Sequence, residues 1–400
     1  METSVLKFGG TSVGDFDKIK DIANELKSRV SRGEKLIVVV SAMGGTTDEL
    51  LLNANSLSST PKEDHVALLL TTGEQQTISY LSIILDDLGI RTKAMTGYQA
   101  GIKTFGGHMK SRIADIDQKH LEAALDNHDV VVIAGFQGIN DEMEITTLGR
   151  GGSDTTAVAI AARCNMPCEI YTDVDGVYAT DPRVYEEAGR IYEITYDEMM
   201  EMSALGAGVL ETRCIEIAKN HSIPLYLGRT LSDEKGTWIM EDTQVLERKA
   251  VTGVALDSDI IHVTLYEPER ESTLIFDLFE KFEAHDINID MISQVVNSEG
   301  FQLSFTVKGN ESYRLDEIFE AVERLHPEMV MDVRTNHSKV SIIGSGMRDM
   351  TGVASRAFMA LQQAGIPFYQ TTTSEISISY VVDGEKDRQA VEVLAKKFNL

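Results

Sequence analysis

Residues 4–41, SVLKFGGTSVGDFDKIKDIANELKSRVSRGEKLIVVVS, carry the pattern that decides the fold of the first part of the chain. The apolar run Ser4–Phe8 has the length of a strand. Phe16–Val30 repeats apolar residues at helical spacing, and Leu36–Ser41 is almost continuously apolar. Strands buried on both faces show such continuous runs. This strand–helix–strand order predicts a parallel-type sheet between helices.

The same alternation continues to about residue 245, so we expect residues 1–245 to form one α/β domain. Four further strands are predicted at Thr92–Met95, Val130–Phe136, Glu169–Thr172 and Pro224–Leu227. Three further helices are predicted at His65–Leu88, Lys119–Asn127 and Thr155–Cys164.

Composition and charge narrow the class of protein. Of 400 residues, 42% are hydrophobic and 25% are charged, which is typical of a globular chain and argues against disorder. The net charge of −26 disfavours nucleic acid and anionic membranes as partners. Three cysteines do not make a disulfide framework. The longest apolar runs are strand-length, so we expect a cytoplasmic protein without a membrane span.

Residues 258–400 show a different order of elements, and they show it twice. The first copy, 258–335, is predicted as β-α-β-β-α-β, the ferredoxin-like unit. The second copy, 338–400, ends without its last strand. The strand-like segment 250–257 would fill that place and leave no unpaired edge. We therefore predict a second unit made of 250–257 plus 338–400, with the first unit inserted in it. The alternative is that 250–257 is only a linker.

Glycine clusters follow the predicted strands of the first part, at residues 7–12, 41–47, 135–138 and 149–154. In an open α/β sheet the ligand crevice lies at the carboxyl ends of the strands. Glycine there lets backbone N–H groups approach a phosphate. One cluster alone is more often a tight turn, but four of them favour an anion site. Ser153 or Asp154 is expected to cap a helix that begins at Thr155. The chain has neither a P-loop nor a dinucleotide fingerprint.

Three motifs in order resemble those of the aspartate kinase family. They are Lys7–Val13 (KFGGTSV), Thr147–Asp154 (TLGRGGSD) and Tyr171–Arg183 (YTDVDGVYATDPR). The duplicated C-terminal unit is similar to the tandem ACT domains of this family, so the resemblance covers essentially the whole chain. It implies an amino-acid-kinase fold and a monofunctional enzyme. The implied reaction transfers the ATP γ-phosphate to the β-carboxylate of L-aspartate, giving 4-phospho-L-aspartate, the first intermediate towards lysine, threonine and methionine.

The chemistry that the resemblance implies needs cations more than a general base. A carboxylate with a pKa of about 4 is already ionised at neutral pH. Repulsion between this nucleophile and the phosphate is the obstacle, and cations together with Mg²⁺ reduce it. By resemblance, Lys7 contacts the ATP phosphates, and Gly9 and Gly10 bring backbone N–H groups to them. Asp154 would orient Lys7 and help the metal–phosphate arrangement, so that Mg²⁺ is bound through ATP.

Recognition of aspartate itself needs one cation and one anion. Arg150 suits the α-carboxylate, because guanidinium binds carboxylates bidentately. Glu74 matches the family position that holds the α-ammonium, although most glutamates in helices are merely solvated. By the same resemblance the substrate site includes Ser41, Thr47 and Ser153, and the ATP site includes Thr172, Asp173, Tyr178 and Arg183.

One position departs from the family pattern. Members often carry Gly-Ala-Lys-Val-Leu where this chain has Gly-Ala-Gly-Val-Leu at 206–210. A cation is thus missing near the expected phosphates. Lys219, Arg213 or the backbone at Gly208 would have to compensate.

The resemblance also implies regulation and assembly. ACT domains bind an amino acid between paired subunits, which predicts a homodimer or a dimer of dimers. Asp290 offers a carboxylate to a cationic end and favours lysine as the inhibitor, with threonine second. Its alternative is a strand-face carboxylate without a ligand. The predicted effector site comprises Glu271, Leu274, Asn288, Ile289 and Asp290.

Two other functions stay open at this point. One is another kinase of the same fold, acting on glutamate, acetylglutamate or uridylate; the ACT-like units and the Lys7–Val13 motif argue against it. The other is a catalytically silent amino-acid sensor, which Gly208 favours. The retained Lys7, Glu74, Arg150 and Asp154 oppose this second alternative, because a silent protein has no need of them.

Overall fold

The computed structural model describes residues 3–241, 249–269, 272–298 and 300–400. They form two compact units. The first comprises the described parts of 1–177, 190–203 and 208–245, and the second those of 178–189, 204–207 and 246–400. Within the described ranges, no helix has the length and apolar character needed to cross a membrane.

The strands up to residue 241 are short, as the sequence predicts. They are β1 (Thr3–Phe8), β2 (Lys35–Val40), β3 (Thr92–Met95), β4 (Ile102–Phe105), β5 (Arg112–Ile116), β6 (Val130–Ala134), β7 (Gln137–Ile139), β8 (Ile145–Thr147), β9 (Cys168–Thr172), β10 (Val177–Tyr178), β11 (Arg190–Ile191), β12 (Glu193–Ile194), β13 (Leu225–Arg229) and β14 (Thr237–Ile239).

Eight α-helices alternate with these strands. They are α1 (Phe16–Ser31), α2 (Thr46–Leu57), α3 (Glu63–Leu70), α4 (Thr72–Asp87), α5 (Gln118–Asn127), α6 (Gly152–Cys164), α7 (Tyr196–Met202) and α8 (Thr212–Asn220), with a π-helical turn at Ser203–Ala207.

The main sheet of the first unit has the order β12-β14-β13-β9-β1-β2-β6-β3. β1 pairs in parallel with β2 and β9, β6 pairs in parallel with β2 and β3, and β13 pairs in parallel with β9. β14 runs antiparallel to β13, so the sheet is mixed at one edge rather than parallel throughout. β4, β5, β7 and β8 form a separate small sheet.

The core of the first unit is centred on β1, β2 and β6, whose residues are almost all buried. Helix α1 packs its apolar face, which includes Ile19, Ile22 and Leu26, into this core. The Asp15 side chain accepts a hydrogen bond from the backbone N–H of Lys18 and caps the helix. The first strand–helix–strand unit thus follows the sequence prediction to within one residue at each boundary.

Two predicted helices differ in the structure. The helix predicted over His65–Leu88 is broken at Thr71 into α3 and α4. The hydroxyls of Thr71 and Thr72 donate to the carbonyls of Leu68 and Leu69, and such local bonds offer the backbone an alternative to a continuous helix.

The predicted cap of α6 is wrong. The helix begins at Gly152, and its N-cap is Gly151, whose φ is +63°. Ser153 and Asp154 therefore lie inside the first turn rather than before it. Glycine adopts this left-handed conformation without the steric cost of a Cβ, which explains why the helix starts three residues earlier than predicted.

The second unit is built on one antiparallel sheet with the order β16-β17-β15-β18-β20-β19. Its strands are β15 (Gly253–Glu267), β16 (Ile289–Asn297), β17 (Gly300–Lys308), β18 (Val330–Ile343), β19 (Phe368–Thr373) and β20 (Ser377–Asp383). Its α-helices are α9 (Leu274–Ala284), α10 (Ser312–Leu325), α11 (Val353–Gln363) and α12 (Asp387–Phe398), with 3₁₀ turns at Gly309–Glu311, Ser345–Arg348 and Gly384–Lys386.

Two long strands run through both halves of this sheet. In β15, residues 253–257 pair with 339–343 of β18, and residues 260–266 pair with 330–337. The register shifts between the two stretches. Each half has its own apolar core, with Leu278 and Phe305 in one and Leu361 and Tyr380 in the other. Residues 253–257 are thus strand rather than irregular linker.

Candidate active site

A cavity of about 370 Å³ opens at the carboxyl ends of β1 and β2 in the first unit. The starts of α4 and α6 form its other walls. Eight residues that the sequence predicts for the site line it together: Lys7, Gly10, Ser41, Thr47, Glu74, Arg150, Ser153 and Asp154. These residues are far apart in the chain, and the parallel sheet brings them together at one edge.

An ion pair joins β1 to α6 at the cavity wall. Lys7 Nζ lies 2.6 Å from Asp154 Oδ1, and the two side chains are only 8% and 15% exposed. Asp154 stands in the first turn of α6, where the helix dipole favours negative charge. The pair therefore fixes the Lys7 ammonium at the edge of the cavity.

The glycines after β1 allow a close approach of the neighbouring loop. A Cβ on Gly10 would lie 3.0 Å from the carbonyl oxygen of Ala42, and a Cβ on Gly9 would lie 3.3 Å from Lys7 Nζ. The N–H of Gly9 donates to the carbonyl of Tyr171 at 3.2 Å. Gly9 thus leaves room for the ammonium, while its own N–H is engaged in the sheet.

Glu74 is a buried carboxylate with one free oxygen. It lies in the first turn of α4 and is only 3% exposed. The N–H of Ala42 donates to Oε1 at 3.1 Å, whereas Oε2 has no hydrogen-bond partner in the described part of the chain. Burial raises the pKa of Glu74 to about 7. A buried carboxylate of this kind suits a cationic group entering the cavity.

Arg150 presents an exposed guanidinium beside the cavity. Gly149 and Gly151 on either side have φ of +76° and +63°. Residues other than glycine adopt this backbone conformation only at an energetic cost. Across residues 3–241, 249–269, 272–298 and 300–400, no carboxylate lies within ion-pair distance of Arg150. The guanidinium is therefore available to an anion.

Of the predicted nucleotide residues, Lys7 and Gly10 line this cavity, whereas Gly9, Thr172, Asp173, Tyr178 and Arg183 do not. Thr172 ends β9, and its hydroxyl accepts from the N–H of Val174 at 3.0 Å. Asp173 follows it and is exposed. Tyr178 and Arg183 belong to the second unit, where Arg183 pairs with Asp181 at 2.8 Å.

Gly208 has φ of +59°. A residue with a Cβ would be strained in this left-handed conformation, so glycine fits the position and a lysine would not fit it without strain. Lys219 lies 2.6 Å from Asp197, so its ammonium is already paired. Arg213 donates to the carbonyl of Leu148 at 3.1 Å, immediately before the loop that carries Arg150. Of the two side chains among the three predicted substitutes, Arg213 is the one that binds next to the cavity-lining residue Gly149.

Phe136 and Asp48 also line the cavity, and sequence analysis missed both. Phe136 has φ of +69°, and its ring packs so closely on Gly152 that a Cβ there would lie 2.7 Å from Phe136 Cδ2. The signal available in the sequence was its place inside the glycine cluster 135–138. Asp48, in the first turn of α2, carried no such signal.

The predicted effector residues lie in the second unit, apart from Glu271, which falls outside the described residues. Leu274 is buried at the start of α9, Asn288 is exposed, and Ile289 is half-buried. Asp290 Oδ2 lies 2.6 Å from Lys339 Nζ. Burial raises the pKa of Asp290, but the hydrogen bond and charge of Lys339 outweigh this and hold it below its usual range.

Comparisons with known proteins agree along the whole chain. The amino acid kinase family matches residues 2–229, and an ACT domain matches residues 340–398. The aspartokinase of Geobacillus stearothermophilus is 41% identical over 398 residues, covering 99% of this chain and 97% of that protein. Aspartokinase 2 of Bacillus subtilis is 41% identical over 397 residues, with the same two shares of 99% and 97%.

Solved structures show the same fold. The crystal structure of aspartate kinase from Synechocystis is 36% identical with a TM-score of 0.55, and the match covers 100% of this chain and 69% of that one. Aspartokinase III of E. coli, in complex with aspartate and ADP, is 22% identical with a TM-score of 0.80, and both chains are covered completely. With the three motifs, the family matches and full-length relatives in agreement, this chain belongs to the aspartokinases of the amino acid kinase family.

Proposed function

We propose that this protein transfers the γ-phosphate of ATP to the β-carboxylate of L-aspartate, giving 4-phospho-L-aspartate. The observation that carries this proposal is one cavity holding a buried carboxylate, a free guanidinium and a buried lysine–aspartate pair. An α-amino acid needs an anion and a cation for its two charged ends. Its side-chain carboxylate must then face a third, cationic group.

Each group of aspartate has a partner in this arrangement. The α-ammonium pairs with Glu74 Oε2, and the α-carboxylate pairs with Arg150. Further hydroxyls come from Ser41 after β2, from Thr47 at the start of α2 and from Ser153 in α6. The β-carboxylate then faces Lys7, which stabilises the charge on the transferring phosphoryl group. Because this carboxylate is ionised at neutral pH, no residue has to act as its base.

ATP is proposed to lie along the ends of β1 and β9. These strands are paired, with Phe8 opposite Tyr171, and the N–H of Gly9 donates to the carbonyl of Tyr171, so the glycine loop begins beside the end of β9. Tyr178 and Arg183 come to the nucleotide site only by resemblance to the family motif. Mg²⁺ bound through ATP would neutralise the charge of the phosphates, and Asp154, which pairs with Lys7, would help that metal–phosphate arrangement.

Domain boundaries and assembly are also proposals. The pairing of 253–257 with 339–343 and of 260–266 with 330–337 supports an ACT domain at 258–335 inserted in a second one of 250–257 plus 338–400. The catalytic domain would then be 1–245. A homodimer or dimer of dimers through these ACT domains, and a cytoplasmic location, complete the proposal.

A silent amino-acid sensor is the alternative of another class. Gly208 favours it, because the expected cation is absent there. The buried Lys7, Asp154 and Glu74 argue against it. Removing a charged side chain from water costs on the order of several kcal/mol, and a protein without catalytic activity would gain nothing in return.

An ATP-coupled assay with aspartate, glutamate, acetylglutamate and uridylate tests the function. Of these four substrates, we expect only aspartate to be phosphorylated, and only in the presence of ATP and Mg²⁺. Lys7→Ala should lower kcat by roughly 100- to 1,000-fold, because it removes a charge that stabilises the transition state. Lys20→Ala, at an exposed lysine on α1, is the control and should keep full activity. Near-normal turnover in folded Lys7→Ala, checked by circular dichroism, would remove Lys7 from the mechanism.

Arg150→Ala should raise the KM for aspartate by roughly 10- to 100-fold and leave the KM for ATP unchanged, since a charged hydrogen-bond partner of the substrate is lost. Steady-state kinetics with each substrate varied in turn measures both constants. Arg324→Ala, at an exposed arginine on α10, is the matched control. An unchanged KM for aspartate would exclude Arg150 from the substrate site.

Glu74 predicts a pH dependence. Its pKa of about 7 means that it is protonated below that pH and cannot pair with the ammonium. kcat/KM for aspartate should then fall roughly tenfold per pH unit below neutrality. Lys7, Asp48, Arg150 and Asp154 line the same cavity, so the variant Glu74→Gln is needed to assign the effect. Glu74→Gln should have a raised KM for aspartate, and its kcat/KM should no longer fall below pH 7. A fall in kcat/KM below pH 7 that persists in Glu74→Gln would contradict the assignment.

Asp290 is the proposed anchor of a lysine effector, and Lys339 already holds it. Lys339 is 4% exposed and contacts Asp257 only at 4.0 Å. Free lysine must therefore compete with Lys339 for the Asp290 carboxylate, in a site where Glu271, Leu274, Asn288 and Ile289 are the other proposed contacts.

Two variants test this competition by titration of lysine and threonine into the aspartate assay. Asp290→Ala should abolish lysine inhibition. Lys339→Met should lower the lysine concentration for half inhibition several-fold, because it removes the internal competitor. The proposed site fails if Asp290→Ala leaves lysine inhibition intact, and threonine inhibition without lysine inhibition would identify the other effector.

A further inference from the structure

Gln137 is a buried amide that ties together three separate segments of the first unit. It is 2% exposed. Its Nε2 donates to the carbonyl of Thr71 at 3.2 Å, and its Oε1 accepts from the N–H of Gly97 at 3.4 Å. Neither partner is close in sequence, so these bonds fix distant loops against each other. Gln137 is not among the substrate contacts proposed above, and it does not line the cavity.

Its side chain reaches the point where α4 begins. The Thr71 carbonyl that it binds also accepts from the N–H of Gln75, at 3.4 Å, so this carbonyl marks the first turn of α4. Glu74 lies in the same turn, and its side chain accepts a hydrogen bond from the N–H of Ala42. The position of the free Glu74 oxygen therefore depends on where the start of α4 is held.

Its backbone reaches the segment that carries Arg150. Gln137 pairs with Thr147 across the antiparallel strands β7 and β8, and Arg150 follows Thr147 by three residues. The backbone of Gly97 packs closely on this hairpin, since a Cβ on Gly97 would lie 2.3 Å from the carbonyl oxygen of Gln137. One residue thus connects the helix of Glu74 with the strand leading to Arg150.

We propose that Gln137 is a positioning residue that sets the spacing between Glu74 and Arg150, and thereby the fit of the α-ammonium and α-carboxylate of the substrate. This inference rests on the proposed function of the cavity. Two charged groups that must engage one small molecule at once tolerate little change in separation. An amide with one donor and one acceptor bond, buried among fixed backbone groups, meets that requirement better than an apolar side chain.

The test uses the full-length protein with Gln137→Met, which keeps the side chain's length and removes both hydrogen bonds. We expect the KM for aspartate to rise roughly tenfold, in line with the loss of buried hydrogen bonds, with kcat and the KM for ATP within about twofold of wild type. Succinate, which lacks the ammonium, is the probe for Arg150 alone. Its inhibition constant against aspartate should change by less than about twofold.

A matched control separates positioning from general weakening. The buried hydroxyls of Thr104 and Thr146 are 2.7 Å apart in the same small sheet. Thr104→Val removes that bond at nearly constant shape and does not touch α4. It should lower the Tm about as much as Gln137→Met and leave the KM for aspartate unchanged. Gln137→Asn, whose amide falls one methylene short of Thr71, replaces Gln137→Met if the latter does not fold.

The outcomes distinguish this inference from the proposed function. If wild-type protein phosphorylates aspartate and folded Gln137 variants keep a normal KM, or if aspartate and succinate weaken equally, Gln137 is not a positioning residue. If the wild type itself does not phosphorylate aspartate, the proposed function fails first. A raised KM for aspartate with unchanged succinate inhibition supports both.

Discussion

Charged side chains are buried at the carboxyl ends of the parallel strands β1 and β2, and the neighbouring elements have to accommodate them. Lys7 and Asp154 are 2.6 Å apart and largely removed from water, and Glu74 is buried nearby with one oxygen that has no partner among the described residues. Replacing a buried ion pair by hydrophobic residues is often neutral or stabilising, so the stability of the fold does not by itself account for these charges. The surrounding glycines and the tightly packed strands β1 and β2 make room for these charges and hold them.

The fold was predictable to the extent that local patterns decide it. β2 and β6 are continuous apolar runs, and they form the buried centre of the sheet. The break at Thr71 and the start of α6 at Gly152 were not predictable in the same way. Each depends on a single residue. The hydroxyl of Thr71 donates to the carbonyl of Leu68, three residues earlier, and Gly151 has a positive φ. Helical periodicity does not contain that information.

The site was predictable as a list of residues but not as an arrangement. The glycine clusters and motifs indicated Lys7, Arg150 and Asp154, the family resemblance indicated Glu74, and the cavity brings all four together. The raised pKa of Glu74 depends on burial that only tertiary packing creates. Likewise, a glutamine in a three-residue strand carries no sequence signal of the two bonds that Gln137 makes across the first unit.

The ACT-like sheet places a second buried charge where control of activity would act. Lys339 belongs to the half of β18 that pairs with 253–257, whereas Asp290 belongs to β16 in the other half of the sheet. A ligand that took Asp290 away would leave a 4% exposed ammonium whose next carboxylate, Asp257, is 4.0 Å distant and already bound by Lys308. An unpaired buried charge is costly, so Lys339 has to re-pair or move. The Lys339–Asp290 ion pair therefore links one half of the sheet to the other.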